Sequence, residues 1–205
     1  MLDGLHQKAT IQQQHQKQER TEKMRMENTL PTPNTLPSDL AVVKELVYDK
    51  CGFHFSNFKQ NDESADYGAC SFELNGKKIQ HRISKITPTK TGQFVTIWKR
   101  NKDGITAPFD LSDDIDFILI TSKSGDHFGQ FIFPKSVLAT KGILTKNGKE
   151  GKRGIRVYPP WDIATSKQAE KTQNWQTTYF LTIKKDNTSE LNLPKKLFTK
   201  TNEIE

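Results

Sequence analysis

Between Lys77 and Arg100 the chain carries seven basic side chains, Lys77, Lys78, Arg82, Lys85, Lys90, Lys99 and Arg100, and no carboxylate. A second basic run, Lys141, Lys146, Lys149, Lys152, Arg153 and Arg156, is interrupted by Glu150 alone, while acidity gathers at Asp103, Asp110, Asp113, Asp114 and Asp116. Charge segregated in this way suits a phosphate backbone, which attracts Lys and Arg collectively through counterion release; mixed surface charge creates no such field. Strand parity over residues 77–84 places Lys78, Gln80, Arg82 and Ser84 opposite Ile79, His81 and Ile83. Residues 93–100, read as one strand, place Phe94, Thr96, Trp98 and Arg100 opposite Val95, Ile97 and Lys99. A basic and aromatic sheet face holds nucleic acid through phosphate contacts and base stacking. The glycine-rich loop 146–154 reads either as a clamp over phosphates or as a solvated hairpin loop. The expected nucleic-acid-binding residues are Arg82, Lys85, Lys90, Lys99, Arg100, Lys135, Lys152, Arg153 and Arg156, with duplex DNA the preferred partner. Among them the arginines Arg100, Arg153 and Arg156 could also pair bidentately with guanine. Trp98, Trp161 and Trp175 read as core or pocket walls rather than stacking platforms.

Catalytic patterns are harder to find. A metal-dependent nuclease needs carboxylates converging near a lysine, and the literal tripeptide Glu150-Gly151-Lys152 falls in the glycine-rich loop. A looser set takes Glu63, Asp66 and Glu73 with Lys85. The Asp110, Asp113, Asp114, Asp116 cluster reads more readily as a solvated turn than as a cation site. No GxSxG elbow, HExxH motif or P-loop is present. His54 and His127, each beside a phenylalanine, read as packing histidines. No catalytic residue is assigned and no cofactor is expected; magnesium enters only with the alternative of a restriction-type nuclease. A third reading is a protein-interaction module using the Arg156–Trp161 segment and the N-terminal arm.

The elements that must position these residues follow from periodicity. The 205 residues include 31 Lys plus Arg against 24 Asp plus Glu, a formal net charge of +7, with 33% hydrophobic residues. No apolar run approaches the roughly 20 residues a bilayer span requires, so no membrane insertion is expected. Two cysteines without metal-ligand spacing argue against a disulfide scaffold or zinc finger, and a reducing cytoplasm is the expected compartment. Residues 1–36, Gln-rich and lacking any aromatic residue, read as a disordered arm; residues 37–184 read as one domain and 185–205 as a polar tail. Within the domain, Ser38 is the expected cap of a helix carrying Leu40, Val43, Leu46 and Val47, ending before Gly52. Residues 69–74 and 77–84 form a hairpin around Asn75-Gly76, since both positions accept positive φ. Further strands are expected at 93–100, 116–122, 127–133, 155–158 and 178–183, with helices after Pro134 and across 163–175. The pattern is that of an α+β domain, β-rich and mostly antiparallel, forming a curved sheet or partly open barrel with flanking helices.

Three motifs then converge on one family. Lys85-Ile-Thr-Pro-Thr-Lys90-Thr-Gly-Gln-Phe-Val-Thr-Ile-Trp98-Lys-Arg100, followed by Gly129-Gln-Phe-Ile-Phe-Pro-Lys135 and Arg156-Val-Tyr-Pro-Pro-Trp-Asp162, resembles the MepB family of small bacterial proteins. Lys167-Gln-Ala169 and Thr172-Gln-Asn-Trp-Gln176 fit as well, and the resemblance runs over residues 60–182. The family takes its name from a staphylococcal operon encoding a multidrug efflux pump and its repressor. The resemblance implies a fold comparable to restriction endonucleases or related DNA-binding architectures, with a nucleic-acid-binding, accessory or regulatory role. Carried over by position, its polar motif residues are Arg82, Lys85, Lys90, Lys99, Arg100, Lys135, Arg153, Arg156, Gln173 and Gln176.

Overall fold

The computed structural model describes residues 36–61, 65–184 and 191–199. The Gln-rich arm, apart from Leu36, and Glu63 therefore lie outside the described residues. The first helix, Ser38–Val43 (α1), continues as a π-helical turn over Lys44–Tyr48. Pro37 holds the N-cap position with no side-chain cap bond, so Ser38 is the first helical residue rather than the cap. Of the apolar face expected from the spacing, Leu40, Val43 and Val47 are buried and Leu46 packs partly buried against the core, while the π-helical turn adds Tyr48 to the buried set.

One edge strand of the main sheet has no clear sequence signal. Strand Phe55–Gln60 (β1) carries a bulge between Ser56 and Lys59, with Asn57 at φ 54°. A regular strand would send Phe55 and Phe58 to opposite faces; the bulge returns both to the same core, their ring centroids 6.4 Å apart. The hairpin follows as expected, Cys70–Leu74 (β2) with Lys77–Ile83 (β3), turned by Asn75 and Gly76 at φ 50° and 72°.

Residues 93–100 are not one strand. Lys85–Thr87 (β4) pairs with Lys90–Thr96 (β5), and Trp98–Arg100 (β6) pairs with Thr106–Pro108 (β7) in a separate ribbon. Alternation survives the change, because Val95 and Ile97 are both buried, so the sequence pattern does not register that the pairing partner has switched. Phe117–Ser124 (β8) and His127–Pro134 (β9) form the long central hairpin, and Lys135–Thr140 (α2) follows Pro134. Then come Gly154–Val157 (β10), Lys167–Thr177 (α3) and Phe180–Thr182 (β11). The helix expected from 163 begins at Lys167 because Ser166 caps it, accepting from Ala169 N–H at 3.2 Å.

The expected polar tail contains a helix, Asn192–Thr199 (α4). Leu191 and Phe198 are buried in the core, with Leu193 and Leu197 packed against it. The Phe198 ring lies 4.7 Å from Phe117 and 5.4 Å from Phe53. Its apolar positions span barely two turns and flank two lysines, which hid the helical period.

The main sheet has the order β1-β2-β3-β8-β9-β11, antiparallel throughout except for the parallel pair β3 and β8. A parallel pair requires a crossover connection, commonly a helix. Here residues 84–116 make the crossover and carry β4 to β7, so the sequence's longest acid-free basic stretch starts on β3 and continues into this connection. β10, β5 and β4 form a second, three-stranded sheet. One face of the main sheet is covered by α1 and α4 around Leu119 and Ile132; the other packs Ile118, Ile120, Phe131 and Phe133 against β5, β10 and α2. The fold is α+β, and its sheets are open rather than closed into a barrel.

Candidate nucleic-acid interface

The antiparallel pairing of β5 with β10 joins the two basic segments, Arg156 lying opposite Phe94 and Gly154 opposite Thr96. Together with α3 these strands enclose a groove of about 550 Å³. Its cationic wall is Lys90 at the start of β5, Lys141 just after α2, Lys152 before β10, and Arg156 within it. Among the described residues no Asp or Glu joins this lining. Lys90, Lys141 and Lys152 are exposed. The Lys141 ammonium lies 5.3 Å from the centroid of Trp175, which forms part of the groove wall, so this tryptophan acts as a wall, as expected.

Two glutamines hold the groove's far side. Gln176, buried in α3, accepts from Tyr158 N–H at 2.8 Å and donates to the Arg156 carbonyl at 3.0 Å. Gln173 donates to the carbonyls of Pro159 and Asp162 at 2.9 and 2.8 Å. The motif segments around Arg156–Asp162 and Gln173–Gln176 are thus one structural unit, in which side-chain amides satisfy the backbone of a chain with two prolines. These glutamines position the groove, with the Gln173 amide nitrogen and both ends of the Gln176 amide engaged by backbone.

The remaining expected residues are distributed unevenly. Arg156 spends its guanidinium on the turn below it, donating to the carbonyls of Lys90, Thr91 and Gly92 and to Thr87 Oγ1 at 2.8 Å. It contributes charge to the groove, while those donors are already engaged. Arg153 pairs with Glu150 at 2.8 Å and donates to Thr106 O. Its partner Glu150 belongs to the nuclease-like tripeptide, which forms no carboxylate cluster with described residues. Lys99 pairs with Asp113, and Lys135 donates to the Asp113 carbonyl. Lys85 is exposed and sits 4.6 Å from the Tyr67 ring centroid. Arg82 departs from its expected place on a polar sheet face: it is buried, 3% exposed, because its register partner on β8 is Ile120, a member of the second core. With Lys99 and Arg100 it lines a second hollow beside Trp98.

The aspartate cluster is a set of turn ligands. Asp110 accepts from the Ser112 N–H and hydroxyl at 2.8 and 2.7 Å, which pulls its carboxyl below the usual range. Asp113 accepts from Asp110 N–H, and Asp116 from Lys78 N–H. Among the described residues no three His, Cys, Asp or Glu side chains gather at one point. His54 and His127 are exposed rather than packed inside, His127 stacking on Trp161 at 5.2 Å.

The buried histidine is His81, part of a polar chain that alternation alone did not reveal. Tyr48 Oη donates to Gln130 Oε1 at 2.7 Å, Gln130 Nε2 donates to Thr121 Oγ1 at 3.1 Å, and Thr121 Oγ1 meets His81 Nε2 at 2.9 Å. His81 Nδ1 lies 3.3 Å from the Gly68 carbonyl and 3.5 Å from Cys70 Sγ. Burial pushes His81 down to about 4 and the Cys70 thiol up to about 12, and raises Tyr48, so all three are neutral at pH 7.

A mixed sheet with helices on one face and a basic crossover sheet on the other, whose strands and helix enclose a cationic groove, defines the class of this α+β protein. The MepB-like family model matches residues 61–182, and the chain belongs to that family. The crystal structure of MepB superimposes with a TM-score of 0.62 at 31% identity, covering 71% of this chain and 97% of that one. A bacterial homing endonuclease aligns at 15% identity with a TM-score of 0.42, over 80% of this chain and 93% of its own, too distant a likeness to carry any property across. No functionally curated protein matches the chain. No described helix is long and apolar enough to cross a membrane.

Proposed function

We infer that the chain binds nucleic acid, preferentially duplex DNA, through the groove of Lys90, Lys141, Lys152 and Arg156, and acts in the cytoplasm as an accessory or regulatory factor. One observation carries the reading: four cations from separated segments line one groove without a described carboxylate among them. Isolated surface cations are normally interspersed with acids, and their fields cancel within about one Debye length, roughly 8 Å at physiological salt. Here the fields add, and a phosphate backbone lying along the groove would release condensed counterions. Three of the four are lysines, point charges on flexible stems that hold phosphates without reading bases.

Fluorescence anisotropy with a labelled duplex, titrated at several salt concentrations, tests the reading. Four phosphate contacts give a slope of log affinity against log salt of about −3.6. The double variant Lys90→Glu, Lys152→Glu should flatten that slope and weaken binding, with the fold unchanged because both side chains are exposed. Absence of binding at low salt, or equal affinity in the double variant, refutes it.

A further inference from the structure

We propose that the hollow lined by Arg82, Lys99 and Arg100 is a binding site for a terminal phosphomonoester carried on a nucleotide. It shares no lining residue with the groove of the proposed function, so either site can fail without the other.

The starting point is an unbalanced charge. Arg82 is 3% exposed, and buried arginines are ordinarily paired with a carboxylate. Among the described residues this one forms no ion pair. Its Nη1 donates to the His81 carbonyl at 2.7 Å, and its Nε is buried with no hydrogen-bond partner. Among the described residues its titratable neighbours His81 and Cys70 are neutral at pH 7 and supply no compensating anion. A guanidinium held this way, with donors unspent, is prepared for an anion that arrives from outside.

The surroundings specify the anion. The hollow measures about 420 Å³, within the range of small-molecule sites, and Asn61, Gln80, Trp98 and Phe109 complete its lining. Three cations converge; Lys99 is shared with Asp113, and Arg100 donates to the Gly104 carbonyl at 2.6 Å, so Arg82 is the one that brings a buried, unmatched donor. A phosphomonoester carries roughly −1.5 to −2 at pH 7 and presents three acceptor oxygens, whereas an internal diester carries one charge and runs on in both directions. A terminal group reaches a buried guanidinium more readily than a continuous backbone does. Beside the cations, Trp98 walls the hollow with its ring 5.7 Å from the Arg100 guanidinium, and the two amides offer the donor and acceptor edges a base requires. The nucleotide could be the end of a strand or a free mononucleotide; both present the same group.

The test uses the full chain and short single-stranded oligonucleotides that differ only in a 5′-phosphate, a 3′-phosphate or hydroxyl ends, with a free deoxynucleoside monophosphate as a separate titrant. A phosphate on one end should tighten binding by about tenfold or more, as expected for charge-assisted hydrogen bonds. That preference should vanish in Arg82→Met and shrink in Arg100→Ala, an exposed position that keeps the test valid if the buried variant does not fold. Lys90→Glu, in the groove, should weaken all oligonucleotides alike. Saturable binding of the monophosphate, lost in the same two variants, assigns the site to free nucleotides; its absence alongside an end preference assigns it to strand ends. Equal binding of phosphorylated and hydroxyl-ended strands without monophosphate binding, or a preference that persists in Arg82→Met and Arg100→Ala, overturns the proposal.

Discussion

Acidification should weaken this fold through one histidine. His81 is fully buried and linked to Tyr48 through Thr121 and Gln130. The donors can be ordered along that chain. Tyr48 donates to the Gln130 carbonyl oxygen, so the Gln130 amide nitrogen donates to Thr121; Thr121 then donates to His81 Nε2, leaving Nδ1–H for the Gly68 carbonyl. Every proton has an acceptor when His81 is neutral. Protonation puts a second N–H on the ring, which must donate to Thr121 Oγ1 and strands the hydroxyl proton. Burial, the largest cause, acts in the same direction and holds the folded value at about 4 against 6.5 unperturbed. A base with a depressed folded value contributes stability that is present above the unfolded value and is lost as pH falls through the window from 6.5 to 4. Between about pH 7.5 and pH 5 the two values give a loss of about 2 kcal/mol from this group alone. Urea unfolding of the native chain and of His81→Gln at both pH values isolates it, because glutamine supplies one donor and one acceptor without titrating. The native chain should lose about 2 kcal/mol more than the variant. Identical pH dependence in the two proteins would refute the burial and bonding scheme.

Three other substitutions probe the fold and the site by different physics. Arg82→Met replaces an unpaired buried charge with an apolar side chain at the cost of one hydrogen bond to His81 O, and should raise stability by about 1–2 kcal/mol in denaturant melts; a loss of stability would mean the guanidinium is structurally satisfied. Gln176→Ala strands Tyr158 N–H and Arg156 C=O, and should cost about 2–4 kcal/mol by the same measurement, far more than truncation of the exposed Gln168 on the same helix. Gly129→Ala places a Cβ against the Phe180 ring and 2.5 Å from the Leu181 carbonyl, which cannot retreat without breaking the pairing of β9 with β11. It should cost about 1–3 kcal/mol or more, and a neutral result would show that β11 is loosely held.

What the sequence revealed of the fold follows from how local each signal is. Asn75-Gly76 specifies its own turn, and the apolar runs of β8 and β9 are long enough to mark buried strands, so the hairpins were legible. β1 was not, because its bulge breaks the period-two pattern that defines a strand. Nor was the break at Ile97, since alternation reports which face a residue takes and is blind to which strand it pairs with. The parallel pairing of β3 with β8 depends on a long crossover and has no local signature. α4 is short, and its stability comes from Phe198 meeting Phe53 and Phe117 across the core.

The candidate site divides along the same line. Convergence of the two basic runs was readable as a possibility from charge spacing, and the β5 and β10 register realises it. Charge counting, however, treats every cation as equivalent, and the structure separates them by what their donors are already doing. Arg156 has donors bound to four protein atoms, Arg153 shares its charge with Glu150, and Lys99 shares its own with Asp113. Lys90 and Lys152 stand exposed in the groove, where charge alone suffices to hold a backbone phosphate. Arg82 is the reverse case, shielded from solvent yet with unspent donors, and that combination favours a ligand that enters and is desolvated over one that lies across the surface. In the two proposals the same basic stretch supplies two kinds of phosphate contact with separable demands: the groove would respond to salt and charge reversal, and the hollow to the chemistry of a strand's end.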